Sequence, residues 1–227
     1  MFEESPSFRL AASKRNAELA SGGAAIEMPA GPKWACQVLP EFSGSFDLLS
    51  SSQWLSAMAL FLQLRPINIQ LDHCSPVSAG ILAHSTPDDN GLIHAYALFY
   101  PDRRIEMVGV LPTGIWPPQH QAWWPGVYEK PFLQQINSVL VPLISVLQLP
   151  GPVHLFISLL SLENSALIAK GPHGSEQAYP IPSGSNFIGL DPILVDGLDH
   201  NMMAALVQAF DQVRARAGVV FPHAFYL

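Results

Sequence analysis

Apolar residues change their spacing several times along this chain, and each change marks an element. After Ser50-Ser51-Ser52-Gln53, which has the spacing of a capping box, Trp54, Met58, Phe61 and Leu62 recur at helical intervals. A helix is predicted over about 51–63, ending before Arg65-Pro66. Ile67, Ile69 and Leu71 then alternate with Asn68, Gln70 and Asp72, the period of a half-exposed strand. Strands are also predicted over Val77–Ser85, Leu92–Tyr100 and Ile105–Leu111, the last two joined as an antiparallel hairpin by Pro101-Asp102-Arg103-Arg104.

The second half repeats this alternation of helix and hairpin. Phe132, Ile136, Val139, Leu143 and Leu147 form a stripe predicting a helix over 131–148, which Pro142 should kink or split. Val153–Ser161 and Ala166–Lys170 predict a further hairpin, 171–186 a loop, and 187–190 a short strand. Last comes a helix capped by Asp199, with Met203, Leu206, Val207, Phe210 and Val213 on its apolar face and Gly218 at its end. Hairpins outnumber crossovers in this order. It predicts an α+β fold, a mainly antiparallel sheet built from hairpins and packed against about three helices. Residues 31–227 are expected to form a single domain, and residues 1–30, rich in Ala, Ser and Gly, a flexible N-terminal arm.

Composition narrows the function. Charged residues make up 13% of 227 residues, about half the share common in globular proteins, and a charge-poor surface invites cover by a partner. The net charge is −7, and no cationic cluster is denser than an adjacent pair such as Arg103-Arg104, so binding to nucleic acid is disfavoured. Residues 131–162 carry no Asp, Glu, Lys or Arg, but Leu149-Pro150-Gly151-Pro152 breaks the run into pieces too short to span a bilayer. No integral membrane segment is expected. Two cysteines, Cys36 and Cys74, without CxxC or a secretory leader, suggest a reducing, cytoplasmic setting.

No motif supplies a complete reaction centre. Ser43-Gly44-Ser45 and Ser183-Gly184-Ser185-Asn186 lack the strand that a nucleophile elbow needs, and no GxGxxG or P-loop occurs. Asp72, His73, Cys74, His84, Asp88, Asp89 and His94 are ligand types in one stretch, but their spacing matches no zinc signature, and neither a metal nor another cofactor is assigned. The segment Ile115-Trp116-Pro117-Pro118-Gln119-His120-Gln121-Ala122-Trp123-Trp124-Pro125-Gly126-Val127-Tyr128 stands out. It holds three of the five tryptophans, stiff amphipathic side chains of the kind that dominate binding hot spots, preorganised by proline. The apolar end of the chain, with Phe225 and Tyr226, is expected to dock.

These features suggest a non-enzymatic interaction or assembly subunit of a larger complex. It would hold a protein partner or a second copy through Trp116, His120, Trp123, Trp124, Tyr128, Phe225 and Tyr226. The alternative is a small-molecule or metal-dependent enzyme or binding protein, with a pocket at the same loop.

Overall fold

The computed structural model describes residues 6–41, 49–116, 120–149, 152–171, 173–195 and 200–220. Its main sheet runs through β1 (Lys33–Pro40), β2 (His73–Val77), β3 (Gly80–His84), β4 (Ala95–Phe99), β5 (Ile105–Val110), β8 (Val153–Leu160), β11 (Phe187–Gly189) and β12 (Ile193–Val195). The strand order is β11-β8-β1-β5-β4-β3-β2, with β12 also on β8. All these pairings are antiparallel. A smaller sheet has the order β10 (Glu176–Pro180), β9 (Ser165–Lys170), β7 (His120–Trp123) and β6 (Gly114–Trp116). Its β7–β9 pair is parallel.

The central strands are apolar on both faces because both faces are covered. Every residue of β4 and β5 is buried. On one face, Trp34, Cys36, Val38, Met107 and Phe99 join a large core with the helices α2 (Ser51–Phe61), α3 (Gly126–Gln135), α4 (Val141–Leu147) and α5 (His200–Arg216). On the other, Ala35, Tyr96, Leu98, Val108 and Leu160 pack with Leu19 of α1 (Pro6–Ala20) and with residues as far as Met28. The architecture is α+β, a mainly antiparallel sheet between helical layers.

Helix α1 lies within the segment expected to be a flexible arm. Its seat on the sheet is partly polar. Asn16 Nδ2 donates to Ser158 Oγ (2.9 Å), and Gln37 Nε2 donates to Asn16 Oδ1 (2.7 Å). Arg15 clasps Glu106, Nε to Oε2 at 2.7 Å and Nη2 to Oε1 at 2.9 Å. The sequence did carry a signal, since Phe8, Ala12, Asn16 and Leu19 recur at helical spacing and all are buried. Counting α3 to α4 as one rod, α1 makes the helical rods four where about three were expected.

Other elements depart from the sequence pattern for local reasons. The alternation at 67–71 is not a strand: Pro66–Asn68 is a short 3₁₀ turn with Ile67 and Asn68 at φ 47° and 66°. Ile67 plugs the gap above Gly109, where an added Cβ would lie 2.6 Å from Ile67 Cγ1. The strand expected over Val77–Ser85 is cut by a turn at Ser78-Ala79, so that β2 and β3 form a hairpin of their own. β8 and β9 do not pair with each other. Ser161 and Asn164, at φ 56° and 58°, turn the chain out of the main sheet into the smaller one. The loop expected over 171–186 contains β10, which pairs with β9.

Helix α2 begins with the capping box that its sequence predicts, since Ser50 Oγ accepts from Gln53 N and Gln53 Oε1 accepts from Ser50 N. The second helix starts earlier than expected, directly after Pro125. It passes through a wide π segment, Ile136–Leu140, before α4. Pro142 explains the widening, because it has no N–H for the preceding turn and its ring would crowd the carbonyl of Ser138. Among the described residues no helix is long and apolar enough to cross a membrane.

Candidate functional site

The Trp/Pro segment builds an internal joint. β6 and β7 form a short hairpin with Trp116 opposite His120 in register. Trp123 is 0% exposed, and its indole N–H donates to Ser165 Oγ at 3.3 Å, tying β7 to the start of β9. Its ring lies 6.3 Å from that of Tyr128, which in turn neighbours Trp34 at 6.5 Å and Phe210 at 5.8 Å. Tyr128 is 1% exposed. These rings join the two sheets to α3 and α5, so Trp123 and Tyr128 present no surface to a partner. Trp124 is half-buried beside Gly114. Ile115 is 88% exposed and Gln121 is exposed as well, while the side chains of Trp116 and His120 lie outside the described residues. Phe225 and Tyr226 lie outside the described residues.

Next to the aromatic joint sits a buried ion pair. Glu129 of α3 accepts from Arg214 of α5, Nη1 to Oε1 at 2.8 Å and Nη2 to Oε2 at 2.5 Å. Arg214 also donates to Phe210 O, and Asp211 Oδ1 lies 3.9 Å from it. Burial pushes the Glu129 carboxyl up to about 7 against the Arg214 guanidinium, which holds it down. Both partners are committed to each other, a geometry that clamps α3 to α5.

On the opposite face a groove of about 420 Å³ is lined by Lys14, Arg15, Glu18, Leu98, Tyr100 and Arg104. Its charges are largely spoken for. Tyr96 Oη donates to Glu106 Oε1 at 2.6 Å beside the Arg15 clasp, and burial raises the Tyr96 hydroxyl. Arg104 donates to Asp102 and lies 4.7 Å over the Tyr100 ring. The Tyr100 hydroxyl is pushed up to about 12, chiefly by burial. Such a network fastens α1 to the sheet.

The ligand-type residues of 72–94 are split. Asp88 forms a turn staple, its Oδ1 accepting from the N–H groups of Asn90 and Leu92 and its Oδ2 lying 3.1 Å from His94 Nε2. The hydrogen bond from Leu92 is the main reason its carboxyl sits below the usual range. Cys74 and Pro76 share one face of the hairpin with Ala83 and Ile81; His73 and His84 share the other. Among the described residues no three His, Cys, Asp or Glu side chains gather to hold a metal ion.

Sequence reasoning overlooked the outer flank of α2. No charged residue occurs from Leu48 to Leu64. Leu55 and Leu62, seven residues apart on one line of the helix, are 70% and 38% exposed. Met58 and Trp54 continue this stripe inward; Trp54 is 38% exposed and meets Phe99 edge-on at 5.8 Å. The other flank, Ser52, Gln53 and Ser56, faces Ser145, Val146 and Gln148 of α4 across a cleft of about 260 Å³. The signal was present in the helical stripe, but the same spacing serves for packing against the sheet.

The fold and its surfaces define an α+β protein in which buried polar contacts such as Arg214 to Glu129 and Arg15 to Glu106 fasten its own elements, and in which α2 carries an uncharged, partly exposed apolar flank. Comparison with protein-family models, curated proteins and solved structures gives no match.

Proposed function

We propose that this chain is a non-enzymatic protein-interaction or assembly subunit that holds a protein partner through the outer flank of α2. The observation that carries this reading is a helix without charge that leaves Trp54, Leu55 and Leu62 in solvent. Interface centres are depleted in charge and enriched in Trp and other large apolar side chains, whereas free helix faces are normally polar. The stripe is continuous with the core through Trp54 on Phe99, so the anchor is already held in position before a partner arrives.

The neighbouring edge strand favours contact through side chains. Proline is tolerated in a strand only where its missing N–H is not needed, so Pro76 turns that gap toward the open side of β2 and blunts the edge as a template for strand addition. The Trp/Pro-rich segment enters this reading through Ile115, with the indole of Trp123 holding its base.

A photo-crosslinking residue placed at 55 or 62, and at exposed Glu163 as control, tests the proposal in native extract. One protein should be captured from 55 and 62 and not from 163. A paired Leu55→Glu/Leu62→Glu variant should release that protein while keeping its circular dichroism. Identical capture from all three positions, or none from 55 and 62, would sink the reading.

A further inference from the structure

The β2–β3 hairpin places His73 directly opposite His84, with ring centroids 5.2 Å apart and planes inclined by 23°. His73 is exposed and His84 half-buried, so the pair is open to solvent. His84 Nδ1 lies 2.8 Å from Ser85 O. A carbonyl oxygen can only accept, so Nδ1 carries the proton, and the neutral ring keeps its lone pair on Nε2. This is how metal-binding histidines are usually prepared: a hydrogen bond from one ring nitrogen to a backbone carbonyl fixes the tautomer and leaves the other nitrogen free to ligate.

We infer that His73 and His84 form a two-imidazole site for a divalent first-row transition ion. Two nitrogens bound to one such ion, each at about 2.0–2.1 Å, lie roughly 3.3 Å apart. Rings opposed across a strand pair at 5.2 Å reach that separation by side-chain rotation alone, with no change in the backbone. Imidazole suits copper, nickel and zinc, and the general affinity order puts Cu²⁺ first. Carboxylates near the pair have other duties, Asp72 accepting from Thr86 and Asp88 stapling its turn to His94. The ion would therefore be held by two protein ligands and keep positions open for water or a further donor. The site is independent of the α2 flank, because His73 and His84 face the side of the sheet covered by α1.

The test is titration of tag-free protein with Cu²⁺ and with Zn²⁺ by calorimetry, together with electron paramagnetic resonance of the Cu²⁺ form. Wild type should bind one Cu²⁺ per chain, with a spectrum split by two nitrogens and with Zn²⁺ weaker. His73→Ala and His84→Ala should each weaken Cu²⁺ by tenfold or more, since even indirect partners of metal ligands are worth about 10–100-fold. His94→Ala should bind as wild type. A loss below tenfold in either ligand variant, a single-nitrogen spectrum, or an equal loss in His94→Ala overturns the assignment; in that case the stacked rings serve only as a cross-strand pair that stabilises the hairpin.

Discussion

Replacing Arg214 by Met would leave Glu129 inside the protein without its cationic partner, with 0% of its surface exposed. Removing one partner of a buried pair costs about 3–5 kcal/mol, because the remaining charge has lost its compensation. For a chain of this size, at roughly 2–4 °C per kcal/mol, the melting temperature falls by about 6–20 °C. The loss must depend on pH. In wild type the folded Glu129 carboxyl titrates near 7, above its ordinary 4.5, so the folded state takes up a proton before the unfolded chain does. Its contribution to stability is fully present below about 4.5 and is lost as pH rises through about 7. Without Arg214 the carboxyl moves further up, and the variant recovers part of its stability in acid by binding a proton. Urea unfolding followed by fluorescence of the buried Trp34 and Trp123 at pH 5.5 and pH 8.5 measures this. The larger loss belongs at pH 8.5, and a Glu129→Leu/Arg214→Met pair should restore most of it. Equal losses at the two pH values, or a double variant as weak as the single, would refute the idea that an uncompensated carboxylate is responsible.

Three other outcomes follow from the packing. Trp123→Ala should cost about 3–5 kcal/mol in urea unfolding, since the ring is fully buried in the joint between the sheets; a change below 1 kcal/mol would show that the ring is not core. Gly109→Ala should cost about 1–3 kcal/mol through overpacking, because its new methyl meets Ile67, and Ile67→Ala, which removes the crowded Cγ atoms, should cost less in the Gly109→Ala background than in wild type. Under native conditions a thiol reagent should label Cys74, which is exposed, and spare Cys36, whose thiol is buried and pushed far up; mass spectrometry showing two labels on folded protein would contradict this.

Local signals were legible where an element is decided by its own residues. The capping box at Ser50, the β4–β5 hairpin and the apolar face of α5 could be read from spacing, because hydrogen bonds within one turn or across one tight turn impose them. Competition between partners was not legible. The β8 and β9 strands lie next to each other in sequence, yet each found a better neighbour in a different sheet, and only the left-handed residues Ser161 and Asn164 mark the corner. Ile67 alternates like a strand residue and ends as a plug over Gly109, a contact with a residue far along the chain.

The sequence by itself determined the α+β class, the prevalence of antiparallel pairing and the absence of an uninterrupted apolar run long enough to span a bilayer, because these depend on periodicity and composition. Tertiary structure alone decided which aromatic side chains face inward and which face solvent. Trp123 and Tyr128 had the composition of a binding loop, but β7 joins the smaller sheet and carries Trp123 into the core, the first turn of α3 does the same for Tyr128, and Leu55 and Leu62 remain outside. It also brought His73 opposite His84 and Arg15 onto Glu106, partners set by strand register and helix docking. The physical reason is that an amphipathic stripe says how strongly a face avoids water but carries no label for the surface that will cover it.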